Sequence, residues 1–82
     1  MAMRDCGRLG TFLQKQSVGS ITLSFRQIGE IVGSLPMSAL KYPAWWANQV
    51  GNHHPQTKAW RDFGFRTEGL DLGAQKVTFV KV

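Results

Sequence analysis

The residues most able to do chemistry crowd into one stretch of this sequence, KYPAWWANQVGNHHPQTKAW, at positions 41–60. The stretch holds all three tryptophans and both histidines of an 82-residue chain, together with two of its lysines. Indole, imidazole, amide and ammonium groups in this mixture could serve catalysis, metal binding, or recognition of a nucleic acid or a protein. The residue types and their spacing separate these possibilities.

Catalysis and metal binding find little support in the sequence. The five carboxylates share no motif such as HExxH or a paired-carboxylate helix face. His53 and His54 are adjacent, so on a regular element their side chains diverge and seldom bind one ion together. Cys6 is the only cysteine, which allows neither an intramolecular disulfide nor a cysteine-based zinc site. With no P-loop or Rossmann glycine pattern either, we expect a protein that is not an enzyme and carries no metal or cofactor.

The charge balance favours an anionic partner. Ten Lys and Arg oppose five Asp and Glu, which gives a net charge of +5 and a pI near 10.0. Such a balance in a small protein is typical of binding to polyanions, although it can also serve solubility alone. The excess is greatest at residues 41–66, where four basic side chains oppose one acid, whereas residues 67–82 carry no net charge.

The leading interpretation is nucleic-acid binding through one helix and a following hairpin, with double-stranded DNA as the expected ligand. Lysines and arginines would hold phosphates, while amides or a histidine would read base edges. The free N–H groups at the start of the helix also attract phosphate. An ordinary solvated helix face would carry the same charges, so that alternative stays open. The expected binding residues are Lys41, Trp46, Asn48, His54, Gln56, Thr57, Lys58, Arg61, Arg66 and Lys76.

The tryptophans are expected to divide between the core and the site. Because tryptophan fills much of the core of a small domain, Trp45 and Trp60 are expected inside. Trp46 is expected to be partly exposed, where it could stack on a base. The competing hypothesis is a protein-interaction module, an inhibitor or adaptor, that docks through an aromatic patch including Trp46 and Tyr42. Asn48 has a structural alternative, since its amide could hold the turn NQVGN together.

The first half of the chain predicts two helices around a strand. Apolar residues spaced i, i+3 and i+4 predict a helix over residues 8–16 and a second at about 25–32, ended by Gly33. Alternation in ITLSF predicts a strand at 21–25 between them. LPMSALKY predicts a further short helical turn that ends at Pro43.

The second half predicts an extended segment, a helix and a hairpin. AWWAN could be helical or extended, and its aromatic content and preceding proline favour an extended conformation. A helix is predicted at residues 55–63, with Pro55 at its first position and Gly64 at its end. Residues 65–81 predict a hairpin with its turn at Gly73, a residue free to adopt a positive φ.

Several motifs together resemble a family of small uncharacterised bacterial and phage domains over residues 9–81. They are ITLSFRQIGEIVG, LPMSALKYPAWWAN and HPQTKAWRDFGF, followed by VTFVK. The resemblance implies one integral domain, a prokaryotic or phage setting and no established activity. Many relatives have a basic residue where this chain has Pro43, so Lys41 would have to substitute for it in any ligand contact. The shared pattern maps onto Leu35, Pro36, Ser38, Ala39, Trp45, Trp46, Asn48, His54, Gln56 and Trp60.

The order of elements also resembles a winged helix-turn-helix, with 55–63 as the recognition helix and 65–81 as the wing. The fit is incomplete, because about twenty residues separate Gly33 from Pro55. A helix-turn-helix joins its helices by a turn of only about three or four residues.

We therefore predict an α+β fold of winged-helix-like order in a single domain over residues 1–82. It has three to four short helices and a C-terminal β-hairpin, with residues 1–7 as a flexible end. No apolar run approaches the roughly 20 residues of a membrane span, and the N-terminus lacks the apolar region of a signal peptide. We expect a cytoplasmic protein with no membrane partner.

Overall fold

Along the chain, one helix and one strand are followed by a run of short helices and 3₁₀ turns and then by two strands. The computed structural model describes residues 6–16, 19–48 and 55–82. Within these ranges, four α-helices and three strands form one small mixed domain, which confirms the predicted α+β class. The helices are α1 (Cys6–Lys15), α2 (Phe25–Val32), α3 (Met37–Lys41) and α4 (Lys58–Arg61), the strands are β1 (Ser20–Ser24), β2 (Phe65–Asp71) and β3 (Lys76–Lys81), and two 3₁₀ turns span Pro43–Trp46 and Pro55–Thr57.

The three strands form one antiparallel sheet in the order β1-β3-β2, so the last strand of the chain is central. Side chains alternate between the two faces of each strand. The outer face is polar, and there the hydroxyls of Thr22 and Thr78 hydrogen-bond across β1 and β3 at 2.8 Å. The inner face packs against the helices, and its buried side chains are Leu23, Phe65, Thr67, Val77 and Phe79.

Aromatic rings fill the space between the inner face and the helices. Trp46 stacks on Phe25 with 5.0 Å between ring centroids and on Trp60 with 5.8 Å. Trp60 in turn packs on Phe79 of the sheet at 5.8 Å, and Trp45 meets Trp46 edge-on at 4.6 Å. Aromatic pairs of this kind contribute roughly 0.5–1.5 kcal/mol each beyond the area they bury. The core positions predicted for Trp45 and Trp60 are confirmed.

The junction between β1 and α2 needs no loop, because Ser24 ends the strand and caps the helix. Its hydroxyl accepts from the Gln27 N–H at 3.0 Å, and the Gln27 side chain accepts from the Ser24 N–H at 2.9 Å. A cap of this kind stabilises a helix start by about 1 kcal/mol. The Phe25 N–H donates to the Gln75 carbonyl at 2.7 Å, which ties the helix start to the hairpin. Gly33 ends α2 with a φ of 101°, as predicted.

The prediction that AWWAN is extended is wrong. Pro43–Trp46 is a 3₁₀ turn, in which the Trp45 N–H donates to the Tyr42 carbonyl at 3.1 Å. On a strand, consecutive tryptophans would point to opposite faces and one ring would lie in water. On a 3₁₀ turn with three residues per turn they lie roughly 120° apart, so both rings enter the core. Burial of the second indole therefore outweighs the strand propensity of tryptophan.

The predicted hairpin is confirmed, but its turn adopts a different conformation. The residue with a positive φ in the turn is Gln75, at 56°, and not Gly73. The Asp71 carboxylate accepts from the Ala74 N–H at 2.9 Å. A side-chain hydrogen bond of this kind shapes a turn without needing the freedom of glycine.

The helix predicted at residues 55–63 is shorter in the structure. It begins as the 3₁₀ turn Pro55–Thr57, continues as α4 and ends before Gly64, whose φ is 85°. α1 begins at Cys6, so the last two residues of the predicted flexible end 1–7 are helical, whereas residues 1–5 lie outside the described ones. None of the described helices is both long and apolar enough to cross a bilayer.

A glycine allows α1 to approach the chain that follows α4. The ring of Phe63 lies so close to Gly10 that a Cβ at position 10 would overlap it. Gly10 is itself buried in the middle of α1. A residue with little helix propensity is therefore used where two elements need close contact.

We expect Gly10→Ala to destabilise the protein by about 1–3 kcal/mol, because the Phe63 ring or the helix must shift to admit the methyl group. The matched control is Gly29→Ala in α2, where a Cβ meets nothing within 4 Å. That control should be neutral or should stabilise by up to about 1 kcal/mol, since alanine is the better helix former. Urea unfolding followed by tryptophan fluorescence measures both variants, and equal stabilities would show that Phe63 moves aside at little cost.

Candidate nucleic-acid interface

Two side chains predicted to contact a ligand instead hold the start of α4 to the 3₁₀ turn Pro43–Trp46, which we call the tryptophan turn. The Gln56 amide donates to the Trp45 carbonyl at 2.8 Å, and the Thr57 hydroxyl donates to the Ala47 carbonyl at 2.9 Å. Gln56 is 8% exposed and Thr57 is fully buried. Because carbonyls buried without a partner are costly, both bonds stabilise the fold. Neither Gln56 nor Thr57 presents its side chain to a base edge.

Asn48 pairs with the open edge of β2 as a further strand would. Its Nδ2 donates to the Thr67 carbonyl at 3.0 Å, and its Oδ1 accepts from the Thr67 N–H at 2.7 Å. The same Oδ1 accepts from Trp60 Nε1 at 3.2 Å. We call Asn48, Thr67 and Trp60 the Asn48 clamp. The side chain considered above as a local brace for NQVGN thus joins β2 to α4, and its polar atoms face the protein.

The prediction that Trp46 is partly exposed is wrong. Trp46 is 2% exposed, and its Nε1 donates to the Ala39 carbonyl at 2.8 Å. Because the indole N–H finds an acceptor in α3, the ring is buried without leaving a polar atom unpaired. Phe25 and Trp60 stack on it, so no base can reach it. Trp46 is equally absent from any docking patch, of which Tyr42, at 59% exposure, remains.

Six lysine and arginine side chains are exposed and have no carboxylate partner among the described residues. Arg26 and Arg66 differ, because they lie 3.9 Å from Glu30 and 2.8 Å from Glu68 respectively. Unpaired cations at a surface are the groups that can exchange counterions for phosphates. The predicted His54 lies outside the described residues. The six cations are Lys15, Lys41, Lys58, Arg61, Lys76 and Lys81.

The sheet separates two groups of cations that the sequence predicts to act together. α4 lies on the inner side, because its Trp60 packs on Phe79. Arg66 and Lys76 alternate with buried neighbours on β2 and β3, so they project from the outer face. These two side chains therefore lie on the face of the sheet opposite α4. The structure brings Lys58 and Arg61 together but does not place the hairpin cations beside them.

α1 adds basic side chains next to α4 that were not predicted as part of the site. The two helices pack against each other, with Gly10 of α1 at the ring of Phe63. Arg8 and Lys15 of α1 are exposed, and the helix contains no acidic residue. The sequence contains a signal for these cations, because the segment RLGTFLQK carries two basic residues and no acidic one. Only the fold shows that this segment lies beside α4.

The last predicted cation is Lys41, and the last kind of site to consider is a metal site. Lys41 is exposed at the end of α3, next to the tryptophan turn. Across residues 6–16, 19–48 and 55–82, no three His, Cys, Asp or Glu side chains form a group that could hold a metal ion.

A family model places this chain among proteins without an assigned activity. The model, described as a domain of unknown function (DUF7662), matches residues 7–82, and the chain belongs to that family. This agrees with the expected small uncharacterised domain, whereas the bacterial or phage setting and the winged-helix resemblance stay predictions. No curated protein and no solved structure matches the chain.

We expect Asn48→Ala to destabilise the protein by about 1–3 kcal/mol, because Trp60 Nε1 and both backbone groups of Thr67 lose their partner. The control is Gln14→Ala, which removes an exposed amide from α1 and should change stability by less than about 0.5 kcal/mol. Urea unfolding measures both. If Asn48→Ala instead kept full stability and lost DNA affinity, Asn48 would be a ligand contact and the clamp would be secondary.

All three tryptophans should emit in the blue, as buried indoles do, and should resist quenching by iodide. They are 8%, 2% and 0% exposed in chain order. Addition of DNA should leave their intensity nearly unchanged, because no ring faces the ligand. A red-shifted component that iodide quenches and DNA protects would restore the stacking role of Trp46.

Proposed function

We propose that this member of the DUF7662 family is a small non-enzymatic protein that binds the phosphates of a nucleic acid through α4 and the adjoining α1. The observation that carries the proposal is the pair Lys58 and Arg61, which are one helical turn apart, exposed and without a carboxylate partner among the described residues. Lys15 extends the basic surface along the packed helix α1. Duplex DNA is the first ligand to test, since its phosphates supply dense negative charge.

Binding of this kind is expected to be insensitive to base sequence. Specificity requires side chains that reach base edges, and three amide or hydroxyl groups near α4 are already bonded within the protein. They are Asn48, Gln56 and Thr57. The exposed cations of α4 and α1 are the groups left to hold phosphates, and such contacts position a duplex without reading its bases.

The second candidate is a protein-interaction module, and one observation favours it. Met37 at the start of α3 is 64% exposed and Tyr42 just after its end is 59% exposed. Large exposed apolar side chains of these types are enriched at protein interfaces. With Trp46 buried, the patch is smaller than the sequence predicted, so we rank it second.

We expect the double substitution Lys58→Ala with Arg61→Ala to weaken binding to a mixed-sequence 15-base-pair duplex without changing the fold. The slope of log affinity against log salt should fall in magnitude by about 0.9 for each phosphate that the protein no longer neutralises. Fluorescence anisotropy at several salt concentrations measures both quantities. A wild-type affinity that does not depend on salt would rule out a phosphate-binding function.

The matched control is Arg66→Ala with Lys76→Ala, which removes one arginine and one lysine from the outer face of the sheet. This variant carries the same net charge as the α4 variant, so any general effect of charge is common to both. We expect it to lose much less affinity. Equal losses would move the interface away from α4 and towards the hairpin predicted as a wing.

A further inference from the structure

Phe63 lies between two grooves where α1, α2 and the end of α4 meet. One side of its ring rests on Gly10, and the ring lines both grooves. The first groove has a volume of about 490 Å³, and Phe12 and Ile31 line it with Phe63. Three partly buried apolar side chains from three different parts of the chain therefore form one concave surface.

Basic side chains line both grooves beside this apolar surface, and amide side chains line the second. Lys15 lines the first groove, together with Arg8. The second groove, of about 370 Å³, is lined by Lys81 and by the two amides Gln14 and Gln16. Among the residues that the structure describes, none that lines either groove is acidic. Positive charge thus continues across the ring from one groove to the next.

We propose that these two grooves bind a single-stranded segment of nucleic acid. An unpaired base lies on the surface formed by Phe12 and Phe63, and the flanking phosphates lie at Lys15 and Lys81. This inference rests on the proposed function and names the form of nucleic acid that the site prefers. Stacking of a base on an aromatic ring tolerates any sequence, which agrees with a surface whose amides near α4 are bonded internally.

An acidic peptide with apolar side chains is the alternative occupant, since it too would match an apolar groove beside cations. The nucleic acid is favoured because the positive charge extends beyond the first groove, to Lys81 in the second. A polymer with a phosphate at every unit uses such a continuing row, whereas a short peptide anchored in one groove does not. Paired bases are stacked inside a duplex, so the rings can engage only unpaired ones.

The first test uses the wild-type protein and three labelled ligands in fluorescence anisotropy at low salt. They are a 15-nucleotide oligothymidylate, an abasic 15-mer with the same phosphates but no bases, and a 15-base-pair duplex. We expect the oligothymidylate to bind at least about fivefold more tightly than the abasic strand, which corresponds to the lower end of the stacking free energy for one base. It should also bind more tightly than the duplex.

The second test removes the rings and keeps the charge. Phe12→Leu and Phe63→Leu should each weaken oligothymidylate binding at least about fivefold and change duplex binding less than about twofold. Tyr42→Leu, which removes an exposed ring elsewhere, is the matched control and should leave both affinities unchanged. If Phe63→Leu unfolds because of its contact with Gly10, Phe12→Leu and the abasic strand still decide the matter.

The outcomes separate this inference from the proposed function. Equal affinity for the oligothymidylate and the abasic strand, with the duplex still bound, would overturn the grooves as a base site and leave phosphate binding intact. No binding to any of the three would overturn both. Binding of a labelled peptide of alternating glutamate and phenylalanine that Phe12→Leu abolishes, without oligothymidylate binding, would assign the groove to acidic peptides instead.

Discussion

The fold depends above all on the side-chain amide of Asn48, which pairs with the backbone of β2 as a neighbouring strand would. Asn48 exchanges two hydrogen bonds with the backbone of Thr67 on the edge of β2 and accepts a third from Trp60. The Thr67 hydroxyl donates to the Trp46 carbonyl at 2.6 Å, which brings the tryptophan turn to the same point. An edge strand, a helix and a 3₁₀ turn are thereby joined where the backbone alone would leave polar groups unpaired.

The Asn48 clamp explains why most of the reactive or polar side chains of residues 41–60 stabilise the fold. Burying three tryptophans in a domain this small brings backbone carbonyls of a short turn into the core, and each needs a donor. Gln56, Thr57 and the Trp46 indole supply such donors to nearby carbonyls. Several polar side chains that look available in the sequence are therefore bonded within the protein, and the groups that remain for the proposed ligand are exposed cations and the partly buried Phe12 and Phe63.

The position of the sheet limits which exposed cations can contact one ligand. α4 packs on the inner face, whereas Arg66 and Lys76 project from the outer face, so one flat ligand surface cannot include both. α1, which packs on α4 through Gly10 and Phe63, is the nearer neighbour. The surface that we propose for phosphates therefore comprises α4 and α1 beside Phe63, and this arrangement differs from a recognition helix with a wing.

The sequence by itself determined the α+β class, the helix over 25–32 and the C-terminal hairpin, because periodicity and Gly33 act locally. It also determined the basic charge and the core positions of Trp45 and Trp60. Only the tertiary structure decided the 3₁₀ turn of AWWAN, the burial of Trp46 and the partners of Asn48, which lie 12 and 19 residues away along the chain. Such pairings are non-local: whether a polar side chain meets a ligand or a backbone carbonyl depends on elements that a sequence window does not contain.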